Sequence, residues 1–217
     1  MIPSDSAPDA AGEAPVVSCL LVTADRPNLL KRALRCYQQQ TYAPTELVVL
    51  DNGDERIEDV VASFDLPGTV RYLYVDRGPD LYIGGLRNRA LEEATGEFVI
   101  PQWDDDDWSH PERIERQVQE LQKGYDACTL QGTLMHVDSP DYFYHPFIGI
   151  LPDGVPPTVM HRRDAGIRYP NILAFSSPTP CRKRSSGIWR TRFATTCLRR
   201  ARPTNGVRYR SRSSYPP

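Results

Sequence analysis

The chain has 217 residues, of which 40% are hydrophobic and 25% charged, with a formal net charge of -2. These values are ordinary for a globular protein and exclude a collagen-like, disulfide-rich or membrane-spanning class. The charge is unevenly divided, because residues 174–217 contain 11 basic residues and no acidic one. We therefore predict a disordered leader over 1–14, one folded domain over 15–173, and a basic Arg/Ser/Pro-rich tail over 174–217 that is disordered or out of frame.

The N-terminus lacks the basic and apolar regions of a signal peptide, and no apolar run approaches the roughly 18 to 20 residues needed to span a bilayer. We therefore expect a cytoplasmic protein without a transmembrane segment.

Short apolar runs alternate with segments of helical periodicity along the first 125 residues. Strands are predicted at 16–23, 46–50, 70–75 and 98–102, and helices follow them near 28–37, 57–64, 86–94 and 110–123. This alternation predicts a doubly wound α/β sheet with helices on both faces. A fifth strand is predicted at 127–137, followed by shorter and antiparallel segments at 142–145 and 158–163, with a Pro-rich turn at 151–157 between them.

Acidic residues follow three of the predicted strands, and the run Asp104 to Asp107 directly follows the fourth strand. In an open α/β sheet, ligands bind outside the carboxyl ends of the strands. Adjacent carboxylates repel one another unless a cation or solvent neutralises them. A hard cation held by one or two carboxylates completes its shell with phosphate oxygens. The pattern therefore predicts Mn²⁺ or Mg²⁺ with a nucleotide diphosphate, although a solvated acidic loop remains an alternative.

Four segments together resemble glycosyltransferase family 2 over roughly residues 16–171. They are VSCLLVTADRPNLLKRAL (17–34), QQTYAPTELVVLDNGDER (39–56), GGLRNRALEEATGEFVIPQWDDDDW (84–108) and HPERIERQ (110–117). The resemblance implies a GT-A type mixed sheet and an inverting, metal-dependent transferase. Its partners would be a nucleotide-diphospho-sugar donor and a carbohydrate or lipid-linked acceptor.

The resemblance also implies roles for individual residues. Asp106 would ligate the metal as the last member of a D-x-D triplet, and Asp104 would hold the ribose. Arg87 would approach the diphosphate, a role suited to a guanidinium fork. The other donor-binding candidates are Thr23 and Asp51 at the base, Asp25 in the loop after the first strand, and Asp105 as a supporting residue. Ala24 stands where the family often has an aromatic residue, so a uridine base is not implied.

The family's catalytic base, a carboxylate beyond residue 172, has no counterpart here, because no Asp or Glu occurs from Ala174 onward. Three explanations stay open: a reading frame lost near Ile172, a genuine basic tail that binds RNA or an anionic membrane, and an unusual folded element. Trp189 and Phe193 are isolated, which argues against nucleic acid as the partner. The competing functions are a non-catalytic nucleotide-sugar-binding module, a nucleotidyltransferase and a nucleic-acid-binding protein.

Overall fold

The computed structural model describes residues 13–78, 81–135, 147–152, 154–171, 195–200 and 209–212. Four parallel strands form one half of its main sheet, with the order β3-β2-β1-β4 and β3 at the edge. All four were predicted from apolar runs, and the α/β class is confirmed. The strands are β1 (Val17–Thr23), β2 (Thr45–Asp51), β3 (Thr69–Tyr74) and β4 (Phe98–Ile100).

Helices cover both faces of this sheet, as predicted. On one face, Val17, Cys19 and Leu21 of β1 lie in a core with three helices, whereas on the other face Leu20 and Val22 lie in a core with one helix. The helices on the first face are α1 (Pro27–Gln38), α2 (Glu58–Ala62) and α4 (Arg113–Gln122), and the helix on the second face is α3 (Ile83–Glu93). Both faces of β1 are therefore apolar, because successive side chains of a strand point to opposite faces.

The predicted fifth strand at 127–137 is wrong as one element, because the chain leaves the main sheet at Gln131. β5 (Ala127–Leu130) belongs to the main sheet, whereas β6 (Gly132–Met135) pairs with β7 (Phe147–Ile150) in a separate two-stranded sheet. The Gln131 carbonyl accepts a hydrogen bond from the Leu151 N–H at 2.9 Å, and its side chain donates to the Pro152 carbonyl at 3.0 Å. These two hydrogen bonds stabilise the chain where it leaves the main sheet between β5 and β6. The segment predicted at 142–145 lies outside the described residues.

The remaining strands extend the sheet in the antiparallel sense and make it mixed. After a 3₁₀ turn at Pro156–Thr158, β8 (Met160–Arg162) runs between β4 and β5, antiparallel to both. In the basic tail, β9 (Thr195–Arg200) pairs with β5 and β10 (Tyr209–Arg212) pairs with β9. β9 thus finds backbone partners on β5, and β10 finds them on β9. The predicted boundaries of the domain and the tail, with a tail that is disordered or out of frame, stay a prediction. None of the helices in the described part of the chain is long and apolar enough to cross a bilayer.

Candidate functional site

The carboxyl ends of β1, β2 and β4 meet at one edge of the sheet. β1 lies between β2 and β4, so the chain leaves β1 toward β2 and later returns to its other side as β4. Such a reversal of strand order opens a crevice in which α/β proteins bind ligands. Thr23 at the end of β1 is in register with Asp51 of β2. The run Asp104 to Asp107 follows β4 at the same edge, as predicted.

Trp103 anchors the start of the acidic loop. Its side chain is buried, its ring nitrogen donates to the Ala33 carbonyl of α1 at 3.2 Å, and its ring packs edge-on against Tyr37. Its backbone N–H donates to the Leu20 carbonyl of β1 at 2.9 Å. The backbone entering Asp104 is therefore fixed against both β1 and α1.

Asp105 is the most buried of the four aspartates, with no exposed surface. The Thr23 hydroxyl donates to its Oδ2 at 2.7 Å. Its Oδ1 lies 2.9 Å from Nη2 of Arg26, yet the alignment is too poor for a hydrogen bond and this buried oxygen has none. A buried carboxylate oxygen left in this state is costly unless a cation or donor compensates it. Thr23 therefore contacts Asp105 in this structure, and its predicted contact with a base stays a prediction.

Asp104 and Asp106 flank this buried residue and are more accessible. Asp106 Oδ2 lies 3.6 Å from Nη1 of Arg26, and 38% of its side chain is exposed. Its backbone carbonyl accepts a hydrogen bond from Nη2 of Arg32 at 2.5 Å. Asp104 Oδ1 accepts a hydrogen bond from Arg87 at 3.1 Å. The predicted metal ligand is thus the acid of the D-x-D triplet that faces solvent most.

Arg87 projects from α3 toward the acidic loop. Besides Asp104, it contacts the Gln102 side-chain oxygen at 2.8 and 3.0 Å when that amide is oriented to accept, and it lies over the Tyr169 ring at 5.6 Å. Its Nε is buried without a hydrogen-bond partner. The guanidinium is mostly buried beside the crevice, and one of its donors has no protein partner.

The segment 169–171 crosses the first turns of α3 and holds this helix in place. Asn88 donates to the Tyr169 carbonyl at 2.7 Å and accepts from its N–H at 2.8 Å. The Asn171 side chain accepts from the Gly85 N–H at 3.2 Å. A Cβ on Gly84 would meet the Pro170 carbonyl at 2.1 Å, so the glycine permits a close backbone approach. Gly84 and Gly85 therefore allow the segment 169–171 to pack closely against the start of α3.

Asp51 is fully buried, and protein groups occupy both of its carboxylate oxygens. The N–H groups of Gly53 and Ile57 donate at 2.9 and 3.1 Å, and the Tyr72 hydroxyl donates at 2.5 Å. Burial together with the hydrogen bond to Asp51 raises the pKa of Tyr72, which stays protonated and donating. Asp51 thus shapes the loop after β2, and its predicted contact with a nucleotide base stays a prediction.

Asp25 links the loops after β1 and β2. It has a φ of 53°, its Oδ1 accepts from the Asp54 N–H at 2.7 Å, and it pairs with Arg77. A Cβ on Gly53 would meet Asp25 Oδ1 at 2.6 Å, so only glycine permits this approach. Asp25 is therefore brought to the predicted edge, where its contacts order the two loops.

Burial raises the pKa values of aspartates in the acidic loop. It raises the pKa of Asp104 despite the opposing charge of Arg87, and it raises those of Asp105 and Asp107 to about 6 and about 7. The neighbouring carboxylates add to each shift, because like charges disfavour ionisation. Asp105 and Asp107 therefore hold protons closer to neutral pH than ordinary aspartates do, and a bound cation would favour their ionised forms.

Three arginines around this loop were not predicted as site residues: Arg26, Arg32 and Arg113. Arg113 is almost fully buried, and its Cζ lies 5.2 Å from the centroid of the Trp103 ring. Its Nη1 donates a hydrogen bond to the Ser109 hydroxyl at 2.9 Å. Burial lowers the pKa of Arg113, and the charge of Asp107 opposes this shift only in part. The sequence signal was available, since Arg113 shares the helical face of Gln117 and Leu121, where an apolar residue is the norm.

The residues present fit a divalent cation. Within the described ranges, no group of three or more His, Cys, Asp or Glu side chains is arranged to hold a metal. However, Asp105 and Asp106 each direct one oxygen at the same guanidinium of Arg26, so two carboxylates already converge on one positive group. Mg²⁺ and Mn²⁺ sites often contain only one or two protein carboxylates, with substrate oxygens and water as the other ligands.

Residues 18–186 match the family model described as "Glycosyl transferase family 2", which is well over half of the chain. The chain belongs to this family. The resemblance drawn from the four segments is confirmed.

Two curated relatives are described as glycosyltransferases in their names. One is the putative colanic acid biosynthesis glycosyl transferase WcaA of Escherichia coli (strain K12), 27% identical over 103 residues, which are 46% of this chain and 36% of that protein. The other is the uncharacterized glycosyltransferase YwdF of Bacillus subtilis (strain 168), 29% identical over 107 residues, 49% of this chain and 38% of that protein. The chain thus spans less than two fifths of the length of these relatives.

Solved structures of S. aureus TarS have the same fold. The crystal structure of TarS 1-349 superposes with a TM-score of 0.56 and 18% identity, covering 74% of this chain and 52% of that one. The complex of TarS 1-349 with UDP gives the same TM-score and coverage at 17% identity. At these identities the similarity shows the fold alone, and it confirms the predicted GT-A type sheet.

Proposed function

We propose that the crevice binds a nucleotide-diphospho-sugar together with Mn²⁺ or Mg²⁺, and that the domain serves transfer of the sugar to a hydroxyl acceptor with inversion. One observation carries this proposal: Asp105 Oδ1 is fully buried without a hydrogen bond, is paired only with the half-exposed Arg26, and lies beside the partly exposed carboxylate of Asp106. Family membership supports the chemistry, and the position at the strand-order reversal supports the ligand class.

Each predicted residue has a place in this proposal. Asp106 holds the metal and Asp104 the ribose, while Asp105 supports both from below. Arg87 approaches the diphosphate, because its buried Nε and its fork lie beside Asp104. When bound, the divalent cation neutralises the negative charge that develops on the leaving diphosphate. Thr23, Asp25 and Asp51 order the loops that the nucleotide base would contact.

Transfer with inversion also requires a carboxylate that accepts the proton of the attacking hydroxyl. No Asp or Glu occurs in residues 174–217, where the family places this base. The acid-free composition of residues 174–217 is the observation behind a second candidate function, a module that binds the donor without transferring sugar. If the reading frame is lost near Ile172, we expect the chain to bind nucleotide weakly and to transfer sugar poorly or not at all.

The binding proposal is tested by calorimetry with UDP, GDP and dTDP, each with and without Mn²⁺. We expect at least one nucleotide to bind in a Mn²⁺-dependent manner. Asp106→Asn keeps the side-chain volume and removes the charge, and it should weaken that binding by about thirtyfold, the equivalent of about 2 kcal/mol for one charged contact.

Glu92→Gln is the matched control, since Glu92 is exposed on α3 and its substitution also removes one carboxylate. It should leave the nucleotide affinity within twofold of the unsubstituted chain. Metal-independent binding, absent binding, or equal effects of the two substitutions would contradict the proposal.

A further inference from the structure

Arg26 bridges two carboxylates at the mouth of the crevice. It lies between the end of β1 and the first residue of α1. Its Nη2 lies 2.9 Å from Asp105 Oδ1 and its Nη1 lies 3.6 Å from Asp106 Oδ2. One guanidinium therefore compensates both acids that converge on the candidate metal position.

This bridge is loosely held. The contact with Asp105 is too poorly aligned for a hydrogen bond, and the contact with Asp106 is longer than a charge-assisted hydrogen bond of 2.7 to 2.9 Å. Moreover, 45% of the Arg26 side chain is exposed, so the guanidinium can leave without unpacking the core. Asp105, in contrast, cannot follow it, because it is fully buried and tied to Thr23.

The surroundings of Arg26 suit an anion once the guanidinium leaves the carboxylates. The first turn of α1 contains no acidic residue, and no side chain caps its N-terminus. Arg32 of the same helix reaches the acidic loop through the Asp106 carbonyl, and its Nε is buried without a hydrogen-bond partner. A diphosphate held here would find two guanidinium groups and the positive end of a helix dipole.

We propose that Arg26 is an exchangeable counter-ion, which neutralises Asp105 and Asp106 until metal and diphosphate arrive together and then pairs with the diphosphate. This inference rests on the proposed metal-dependent nucleotide binding and adds a residue that couples the two ligands. A metal ion that binds alone must displace Arg26 from its ligand Asp106 and from the neighbouring Asp105, so it binds weakly. The diphosphate offers the Arg26 guanidinium another anion. Each ligand therefore raises the affinity of the chain for the other by the same factor.

The inference is tested by measuring the Mn²⁺ affinity of the full chain at pH 8, first with the metal alone and then with UDP or GDP present. Arg26→Gln should bind Mn²⁺ alone roughly tenfold more tightly than the unsubstituted chain. The enhancement of Mn²⁺ affinity by the nucleotide should fall by a similar factor. Arg35→Gln is the matched control, because Arg35 is exposed in the last turn of α1, and it should change neither quantity by more than twofold.

Arg26→Lys serves as a second variant, because it keeps the charge and loses the fork that bridges the two acids. Its affinity for Mn²⁺ alone should lie between those of the unsubstituted chain and Arg26→Gln, and circular dichroism establishes that each variant is folded. Suppose that both Arg26 variants bind Mn²⁺ alone as weakly as the unsubstituted chain does, and that UDP or GDP still enhances the Mn²⁺ affinity of the unsubstituted chain. The counter-ion inference then fails and the proposed function stands. If neither Mn²⁺ nor a nucleotide binds any variant, both fail.

Discussion

Two buried carboxylates at opposite ends of the central strands have opposite environments. Glu46, near the amino end of β2, is 2% exposed and accepts hydrogen bonds from the Ser18 hydroxyl at 2.5 Å, from the N–H and hydroxyl of Thr95 at 2.9 and 3.0 Å, and from Arg71. Asp105, beyond the carboxyl end of β4, has one hydroxyl donor and an oxygen without a hydrogen bond.

The two pKa values differ accordingly. Burial raises the pKa of Glu46, but its four hydrogen bonds outweigh burial and lower it overall. Burial raises the pKa of Asp105 to about 6, because Thr23 and Arg26 oppose it only in part. A buried carboxylate with all its partners holds strands together, whereas one that lacks partners is poised for a ligand. Burial of a charged side chain by itself does not distinguish the two cases.

The largest expected effect is the loss of stability in Glu46→Ala. Removing this carboxylate leaves Ser18 and Thr95 without an acceptor, and Arg71 without its buried partner, so the free energy of unfolding should fall by about 3 kcal/mol. Urea denaturation measures it. Glu93→Ala is the control, because Glu93 is 45% exposed and lies 3.6 Å from the same arginine. Its effect should stay below about 0.5 kcal/mol, and equal effects would abolish the contrast.

A second effect is expected in the pH dependence of stability. Asp105 and Asp107 have raised pKa values of about 6 and about 7, so between about pH 4 and pH 7 the folded chain binds more protons than the unfolded chain. Their contribution to stability therefore decreases as pH rises through this window. Glu46, whose pKa is lowered, acts in the opposite sense, and its contribution is lost as pH falls.

Urea denaturation at pH 5, 6, 7 and 8, with and without Mn²⁺ and nucleotide, measures this dependence. Bound positive charge should remove most of the decrease, because it favours the ionised carboxylates. A stability that rises steadily from pH 5 to pH 8 in the ligand-free chain would show that the acidic loop is compensated as fully as Glu46.

The smallest expected effect on stability is that of Asp105→Asn, and its sign is opposite to that of Glu46→Ala. The amide keeps an acceptor for Thr23 and removes an incompletely paired charge, so the free energy of unfolding at pH 8 should rise by about 1 kcal/mol. Mn²⁺-dependent nucleotide binding should weaken at least tenfold in the same protein. A loss of 2 kcal/mol or more would place Asp105 with Glu46 among the structural carboxylates.

Much of the fold could be predicted from local patterns. The apolar runs at 16–23, 46–50, 70–75 and 98–102 coincide with β1 to β4, because strands covered on both faces need continuous apolar sequence. The segment 127–137 was predicted as one strand because its break at Gln131 depends on contacts with Leu151 and Pro152, which lie about 20 residues away. The pairing of β8 between β4 and β5 is likewise a long-range choice.

The candidate site was predicted less completely. The four aspartates were placed correctly at the end of β4, but their sequence does not show that Asp105 is buried while Asp106 is exposed. The arginines were missed because Arg26 and Arg32 follow β1, some 70 to 80 residues before the acids they contact. Asp51 was treated as a donor-binding candidate, and its partners Ile57 and Tyr72 became visible only in the folded chain.

The sequence alone determined the α/β alternation, the family, and the presence of clustered negative charge at the carboxyl edge of the sheet, because these depend on periodicity and on residues adjacent in the chain. Only the tertiary structure decided which carboxylates are satisfied. Hydrogen bonding and desolvation depend on groups brought together from distant segments, such as Thr23 and Arg26 around Asp105, or Ser18, Arg71 and Thr95 around Glu46.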